Sequence, residues 1–527
     1  MADNLYVLPE TEDDLSIPNK SIGYYLLECL KKRNPNDIIF EDALTHDTIS
    51  AKCLLVNSIK LVSVFKKLGV EKDDVICMMI ENNVNYASVV LAALYAGIIV
   101  NPINPDYTEG EIRRIFEITR PKMVISSETA LAVLKKFDTI QTVLYTSKNG
   151  HNLPNLEQLI KDVEIDLYSF EPIEVDTSSQ LTLILLSSGT TGLPKGVLYT
   201  HKNVRAAIIC LKSMHLDTKW TCTIQYMPGF HVYGIMMMLG AIFNQTKLVI
   251  MRKFETHLFL KCIEQHRIET IFGVPQILQF LCTTPLLTNY DITSIKYIFT
   301  GTASISENTI KSLKQRLKEV TILQLYGLTE TSGPCVYQRP SKIKLGSVGN
   351  LVPGCTAKIV SVDNQQAVGP YKVGEICFKG DCVMKGYFNN EEATRMSFDS
   401  DGFFHTGDLG YYDDTSCFYI VDRLKDIIKY KGFQVSPSEL ENVLLEHPCI
   451  KETAVVGIPD ERAGEVPLAF VVFHKGMSAS EKEVIEFVAE RISVQKRLYG
   501  GVRILENIPK TSLGKIQRRA LLHLYTT

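Results

Sequence analysis

The sequence carries the stretch LLSSGTTGLPKG at residues 185–196, overlapping the end of an apolar run at residues 181–186. A short buried run of this kind predicts a strand, which places the small polar residues at a strand's carboxyl end, where α/β proteins gather their ligand sites. The glycines leave backbone N–H groups accessible and Lys195 adds positive charge, a combination that suits a polyphosphate. A Walker loop is excluded, because Pro194 and Gly196 stand where that motif has glycine and Ser or Thr. The alternative interpretation is a surface turn.

Up to about residue 420, short apolar runs alternate with helical patterns. Residues 123–125, 248–250 and 297–299 are strand candidates rich in β-branched and aromatic residues. Residues 109–118 repeat isoleucine at the spacing of one helix face. Alternation of this kind is typical of α/β proteins. We therefore predict a large N-terminal domain, residues 1–423, in which several β-sheets are flanked by helices.

The tail of the chain has a different pattern. A charged break at residues 422–426 is followed by a helix start, with Ser436 as N-cap and Glu439 completing a capping box. A second capping box is predicted at residues 480–483, and strand-like runs lie between the two helices. These features predict a small α+β domain at residues 424–527.

Composition excludes several classes of protein. The 527 residues have a net charge of -3, so the chain lacks the concentrated basic surface that nucleic-acid binding requires. The longest apolar run, residues 89–100, is about half of the roughly 20 residues in a membrane-spanning helix. The 13 cysteines show no two-residue spacing of a zinc or redox motif. Because neither end of the sequence resembles a secretory or peroxisomal signal, we expect a cytoplasmic protein.

The stretch at residues 185–196 resembles the phosphate loop of adenylate-forming enzymes: acyl-CoA synthetases, 4-coumarate–CoA ligases, beetle luciferases and peptide-synthetase adenylation domains. Four further blocks match in the family's order, at residues 324–330 (QLYGLTE), 406–408 (TGD), 421–435 and 509–515. The resemblance covers nearly the whole chain and is nearest to insect luciferase-like acyl-CoA ligases. It implies a ligase that converts a carboxylic acid and ATP to acyl-AMP and pyrophosphate, and then forms acyl-CoA, with ATP, Mg²⁺ and coenzyme A as cofactors.

The resemblance also implies roles for individual residues. Lys515 would bind the carboxylate and the α-phosphate during adenylation, and Lys429 would serve the second half-reaction. Glu330 would hold Mg²⁺, Thr329 would contact phosphate, and His231 would lie near the reacting carboxylate. The positions implied for ATP and coenzyme A are Ser187, Ser188, Gly189, Thr190, Thr191, Lys195, Gln324, Tyr326, Gly327, Asp408, Arg423, Lys425, Lys253, Lys431 and Gly432. Those implied for the acid pocket are Phe230, Tyr233, Gly301, Thr302, Ala303 and Leu328.

These residue types fit the chemistry. A carboxylate that attacks the α-phosphate of ATP brings two anions together, so the site must neutralise charge and hold the reactants in line. Asp408 can accept hydrogen bonds from ribose hydroxyls, as acidic residues do in dinucleotide folds. Magnesium keeps several waters, so Glu330 suffices as a protein ligand. The resemblance places a hinge at Lys425, about which the small domain would rotate to exchange Lys515 for Lys429. The alternative interpretation of each lysine, of Lys253 above all, is a solvated surface charge.

Three alternatives concern the reaction. An amino-acid substrate is disfavoured, because no aspartate lies between residues 225 and 240 to bind its ammonium group. A luciferase-like monooxygenase is the second candidate. Beetle luciferases have arginine in place of Ala207, small residues at 333–334 and glycine in place of Thr302, so a fatty or aryl acid–CoA ligase is favoured over it. An inactive protein that keeps only the fold is disfavoured, because Lys515, Glu330 and the phosphate-loop residues are all present.

Overall fold

The computed structural model describes residues 6–8, 20–137, 141–144, 154–187, 195–301, 305, 307–510 and 514–526. Six residues of the predicted site lie outside these ranges: Ser188, Gly189, Thr190, Thr191, Thr302 and Ala303. Within the described part of the chain, the strands form four sheets.

The first sheet supplies both flanks of the predicted phosphate loop. Its seven described strands are, in spatial order, Gly386–Tyr387, Lys195–Thr200, Leu181–Ser187, Ile99–Pro102, Val75–Met79, Met123–Ser126 and Gln141–Leu144. Val75–Met79 and Ile99–Pro102 are buried at every position, as expected for parallel strands covered on both faces. Leu181–Ser187 is the strand predicted before the loop, and it pairs antiparallel with the next strand so that Ser187 lies opposite Lys195. The two ends of the loop therefore lie side by side at one end of this sheet.

The second sheet supplies the other wall of the site. Its nine described strands are, in spatial order, Asn350–Leu351, Gly333–Tyr337, Thr321–Leu328, Tyr297–Thr300, Thr270–Gly273, Cys222–Gln225, Lys247–Ile250, Ile38–Asp42 and Thr48–Ser50. The parallel register places Gly273, Thr300 and Gln324 side by side, so the carboxyl ends of these strands meet at one edge. Ligand sites of α/β sheets lie at this kind of edge.

The third and fourth sheets are largely antiparallel. The third contains Ala367–Val368, Cys355–Val360, Gly374–Gly380, Phe404–Tyr412 and Phe418–Arg423. The fourth contains Phe433–Val435, Ile428–Tyr430, Gly464–Phe473 and Ile450–Asp460, with Val502–Ile504 added in parallel to Gly464–Phe473. The fourth sheet and its helices enclose a hydrophobic core of their own. A separate core accords with a C-terminal domain, and the boundary between residues 423 and 424 stays a prediction.

The helices cover the sheets and join their strands. The α-helices are Ile22–Lys32, Ala51–Lys67, Tyr86–Ala96, Glu109–Thr119, Leu131–Leu134, Leu156–Leu159, His201–Thr218, Val232–Phe243, Thr256–His266, Pro275–Thr283, Glu307–Arg316, Glu391–Met396, Pro437–Leu444, Glu481–Ala489 and Arg518–Thr526. Short 3₁₀ helices lie at Glu128–Ala130, Pro285–Asn289, Thr329–Thr331 and Val494–Lys496. In the described ranges, none of the helices has the length and apolar character needed to cross a bilayer.

The two predicted helix starts in the tail differ in outcome. Ser480 and Glu483 form the reciprocal capping box. At Ser436 only half of the box forms: its hydroxyl accepts the Glu439 N–H, while the Glu439 carboxylate binds Lys496 at 2.7 Å. The physical reason is that the Glu439 carboxylate binds the charged Lys496 ammonium in place of the neutral Ser436 N–H, and charge-assisted hydrogen bonds are the stronger ones.

Candidate active site

A cavity of about 710 Å³ lies where the first three sheets and the C-terminal loop meet. Its wall includes many of the residues implied by the family motifs: Ser187, Lys195, Phe230, His231, Tyr233, Gly327, Leu328, Thr329, Glu330, Asp408, Arg423, Lys425 and Lys515. These residues come from segments hundreds of positions apart. The fold therefore gathers members of each predicted group, for phosphate, ribose, carboxylate and acid, at one place.

Asp408 lines the cavity, and both of its carboxylate oxygens have partners. It is 5% exposed, and its Oδ1 lies 3.4 Å from Arg423 Nε on the neighbouring strand. The Tyr326 hydroxyl donates to Oδ2 at 2.7 Å. Burial raises the pKa of Asp408, and the Arg423 charge and the Tyr326 hydroxyl act against that rise. The site thus contains a fixed carboxylate acceptor of the kind that binds ribose hydroxyls.

Glu375 and His405 hold the turn that carries Asp408, and the sequence predictions missed both. Glu375 Oε1 accepts the Gly407 N–H at 2.9 Å, and its Oε2 lies 2.8 Å from His405 Nδ1. The hydrogen bond to Glu375 raises the pKa of His405. The sequence held a signal for Glu375, which is a lone carboxylate beside the apolar run at residues 376–378. The structure leaves this carboxylate 8% exposed.

Tyr387, a residue that the motifs did not identify, contacts both Glu330 and Lys195. The Tyr387 hydroxyl donates to Glu330 Oε1 at 3.1 Å, and Lys195 Nζ lies 4.7 Å from the centre of the Tyr387 ring. Glu330 sits in the 3₁₀ turn Thr329–Thr331, which the Tyr199 hydroxyl anchors by donating to the Thr329 carbonyl. A single carboxylate beside a cation at a cavity wall fits a magnesium ion that arrives with nucleotide phosphates and keeps its waters.

His231 caps a helix and also lines the cavity. It is the N-cap of helix Val232–Phe243, and its Nδ1 accepts the Tyr233 N–H at 3.3 Å. Burial, with a smaller contribution from Lys515, lowers the pKa of His231 to about 4. The ring is therefore neutral near pH 7, and since Nδ1 is an acceptor the proton lies on Nε2. A neutral imidazole with one N–H to donate faces the cavity.

Lys515 reaches the cavity from the C-terminal loop. Burial, followed by the positive charge of Arg423, lowers the pKa of Lys515 to about 8. The preceding Gly514 has φ +80°, and a Cβ at this position would lie 2.2 Å from the side-chain amide of Gln276. The loop is thus pressed against helix Pro275–Thr283 of the large N-terminal region.

We predict that Gly514→Ala lowers the rate of adenylation by roughly 10-fold, since a left-handed backbone strains a non-glycine residue by ~1–2 kcal/mol and the added methyl overlaps Gln276. Gly476→Ala is the matched control, because Gly476 has the same φ but its Cβ would meet open space. Combining Gly514→Ala with Gln276→Ala should restore part of the rate. Equal rate losses in both single glycine variants would contradict a role for this contact.

Part of the cavity wall, here called the apolar limb, is lined by side chains of two helices. Ala207, Leu211 and Met214 line it from helix His201–Thr218, at the spacing of one helix face. From helix Val232–Phe243 it is lined by Val232, Tyr233, Met236 and Met237. The side chains named here are uncharged. This limb suits a neutral, apolar group attached to a carboxylate.

Several predicted residues lie outside the cavity wall. Gln324 donates to the Ser347 carbonyl at 3.3 Å, and Gly301 is buried so closely that a Cβ would lie 2.3 Å from Leu325. Lys253 is exposed and pairs with Asp106 at 3.2 Å. Lys429, Lys431 and Gly432 belong to the hairpin of strands Ile428–Tyr430 and Phe433–Val435. The structure therefore brings Lys515 to the site and leaves Lys429 away from it.

The chain matches the family model of the AMP-binding enzymes over residues 30–388 and the model of their C-terminal domain over residues 439–515. The chain therefore belongs to the AMP-binding enzyme family, whose members form acyl-adenylates. This confirms the resemblance that the five sequence blocks indicated.

Individual relatives span nearly the same length. The chain is 36% identical over 500 residues to a luciferin 4-monooxygenase from Photuris pensylvanica, covering 93% of this chain and 92% of that protein. It is 32% identical over 531 residues to a probable 4-coumarate–CoA ligase from Dictyostelium discoideum, covering 96% of each. The crystal structure of ATP-bound MatB from Rhodopseudomonas palustris matches with a TM-score of 0.88 at 25% identity, covering 95% of this chain and 99% of that one. The predicted α/β fold class is confirmed.

Proposed function

We propose that this protein is an ATP-dependent carboxylic acid–CoA ligase acting on a fatty or aryl acid. In the first step a carboxylate oxygen bonds to the α-phosphorus of ATP and pyrophosphate leaves. In the second step the thiol sulfur of coenzyme A bonds to the acyl carbon, AMP leaves, and the thiol proton passes to solvent. The observation that carries the proposal is a cavity whose wall contains Lys515, Asp408 and Glu330 together with the apolar limb.

In the adenylation step, each side chain has a separate task. Asp408 fixes the ribose, supported by Arg423 and by the turn that Glu375 holds. Glu330 would hold Mg²⁺, which would supply positive charge to the phosphates when bound, and Lys195 adds a cation to the same cavity wall. Lys515 places its ammonium between the carboxylate and the α-phosphate, where negative charge develops. The His231 N–H donates to the acid's carboxylate and orients it.

The lowered pKa of Lys515 predicts a pH dependence of adenylation. An ammonium with a pKa of about 8 is charged below that pH and neutral above it, so kcat/KM for adenylation should fall as pH rises through about 8. Bound nucleotide adds negative charge, so the decline in kcat should occur at a higher pH than the decline in kcat/KM. Initial rates of pyrophosphate release across pH test this expectation.

Lys515→Arg is the matched variant for the pH profile, because a guanidinium does not titrate in this range. The variant should lose the decline near pH 8, whatever its absolute rate. A decline that persists unchanged in Lys515→Arg would assign the titration to another group.

For the thioester step we propose that residues 424–527 rotate about Lys425 and present Lys429 to the site. Two contacts hold the present orientation at the hinge: the Ser436 hydroxyl donates to Asp422 Oδ2 at 2.6 Å across the proposed boundary, and Arg518 lies 3.5 Å from Asp426. The rotation would break the first of them. Because the two units have separate hydrophobic cores, each can move as a rigid body. The rotation can therefore be confined to a few backbone torsions at the hinge. Lys431 and Gly432, at positive φ in the same hairpin, then meet the phosphates of coenzyme A.

A luciferase-like monooxygenase is the second candidate, supported by the 36% identity to the Photuris enzyme. The lining of the acid limb favours the ligase. Ala207 lies where beetle luciferases carry arginine, and the nearby Arg205 is directed to Asp381 at 3.7 Å. The limb therefore offers no arginine at this position for a luciferin-type acid.

Acid-dependent exchange between ATP and labelled pyrophosphate will identify the substrate, because exchange requires reversible adenylation. We expect exchange with apolar fatty or aryl acids and little with charged-tail acids or amino acids. Oxygen consumption and light emission with a luciferin-type acid would instead favour the monooxygenase. No exchange with any acid would contradict both candidates.

A further inference from the structure

Three cysteine thiols meet in the core behind the active site. Cys335 lies in strand Gly333–Tyr337, Cys355 opens strand Cys355–Val360, and Cys382 follows strand Gly374–Gly380. Their sulfur atoms lie within 4.8 Å of one another, and the Sγ atoms of Cys335 and Cys382 are 3.6 Å apart. Cys335 and Cys355 are fully buried, and Cys382 is 5% exposed. Three separate strand segments thus hold three sulfur donors in one place.

The spacing of these sulfurs fits a metal ion. One side of the sulfur triangle is 3.6 Å and the other two are at most 4.8 Å, so an ion at its centre lies at most about 2.8 Å from each sulfur, close to the ~2.3 Å of a zinc–thiolate bond. Sulfur donors select soft ions over Mg²⁺ or Ca²⁺. The cluster therefore differs in chemistry from the oxygen site at Glu330.

We propose that Cys335, Cys355 and Cys382 form a binding site for one thiophilic divalent ion, Zn²⁺ or Cd²⁺. Binding releases three thiol protons to solvent, and the ion is then held by three thiolates. This assembly carries a single net negative charge, which costs less free energy to bury in an apolar core than the bare divalent ion or the three free thiolates would. Because the thiols are buried, binding requires a local opening and should be slow.

The site is a structural one that braces the wall of the catalytic cavity. Cys335 comes directly after Gly333 and Pro334, which line that cavity. Beside Cys382, Asn203 Nδ2 donates to the carbonyls of Asp381 and Val383 at 2.9 and 2.7 Å. A bound ion would add a cross-link between these segments and should raise the thermal stability of the protein.

The second group of possible metal ligands, Glu375, Cys377 and His405, is less suited. The Glu375 carboxylate already accepts the Gly407 N–H at 2.9 Å and lies 2.8 Å from His405. An ion there would break the contacts that hold the ribose turn. The three-thiol cluster has no comparable task in the proposed reaction.

Titration of the reduced, chelator-treated full chain with Cd²⁺ tests the proposal. Binding is read from the ultraviolet thiolate-to-cadmium charge-transfer band in the presence of a competing chelator, and stoichiometry from native mass spectrometry. We expect one tightly bound ion per chain and a higher Tm in the wild type. In Cys335→Ala and Cys382→Ala the affinity for Cd²⁺ should fall by about 100-fold or more. Cys262→Ala, which removes a buried thiol outside the cluster, should bind as the wild type does.

Wild-type protein that binds Cd²⁺ no more tightly than Cys382→Ala would overturn the proposal. If either cluster variant does not fold, X-ray absorption of cadmium bound to the wild type decides instead. Three sulfur neighbours around the ion would support the site, and fewer than three would refute it.

Discussion

Replacing Lys515 by alanine is expected to slow acyl-adenylate formation by about 10²- to 10³-fold, the usual effect of removing a charged donor from a developing negative charge. Thioester formation from supplied acyl-adenylate should stay within a few-fold of wild type. The reason is structural: Lys515 lies in the cavity with Asp408 and Arg423, whereas Lys429 lies on a hairpin outside it. Only one of the two lysines can act in this arrangement. Single-turnover rates of the two half-reactions, measured separately, test the expectation.

Two variants complete this experiment. Lys429→Ala should show the reverse pattern, with adenylation retained and thioester formation lost. Lys496→Ala is the control and should alter neither rate. Lys496 lies outside the cavity wall, and its Nζ pairs with Glu439 Oε2 at a distance of 2.7 Å. Equal loss of both half-reactions in folded Lys515→Ala would refute the two-orientation proposal.

Asp408→Asn is expected to lower kcat/KM for ATP by about 10- to 100-fold, because charge-assisted hydrogen bonds to ribose contribute roughly 1.5–3 kcal/mol. The amide keeps the shape of the carboxylate but leaves the Arg423 charge without its partner. Since the role proposed for Asp408 concerns the ribose and not the acid, we expect the KM for the acid to change little. Steady-state kinetics with ATP and acid varied in turn measure this difference.

Deoxy-nucleotides connect this loss to the ribose itself. Wild-type enzyme should lose activity with 2′- or 3′-deoxy-ATP, and Asp408→Asn should lose much less on the same change, because the contact is already weakened. Tyr326→Phe, which removes only the 2.7 Å hydrogen bond to Asp408, should have a smaller effect. Additive losses from the deoxy-nucleotide and Asp408→Asn would contradict a direct contact.

Local signals in the sequence predicted much of the fold. The buried strand before the phosphate stretch and the capping box at Ser480 were both confirmed, because each depends on residues close together in the chain. The capping box predicted at Ser436 was wrong in part. The Glu439 carboxylate binds Lys496 instead, and Lys496 is 57 positions away in the chain. Local patterns do not report such distant partners.

The same limit applies to the candidate site. Family motifs identified Asp408 and Glu330, yet not Glu375 or Tyr387, whose hydrogen bonds link residues 32 and 57 positions apart. The pairing of Lys195 with the Tyr387 ring likewise depends on the first sheet, in which the strand of Tyr387 joins the strand of Lys195. The hydrogen-bond partners of such positioning residues are identified only in the folded structure.

Mass detection of acyl-AMP and acyl-CoA in one reaction tests the central claim most directly. The protein would be incubated with magnesium-ATP and an apolar acid that supports pyrophosphate exchange, with and without coenzyme A. The account predicts acyl-AMP in the absence of coenzyme A and conversion to acyl-CoA with release of AMP in its presence. Acyl-AMP that persists unchanged when coenzyme A is added would contradict the ligase assignment.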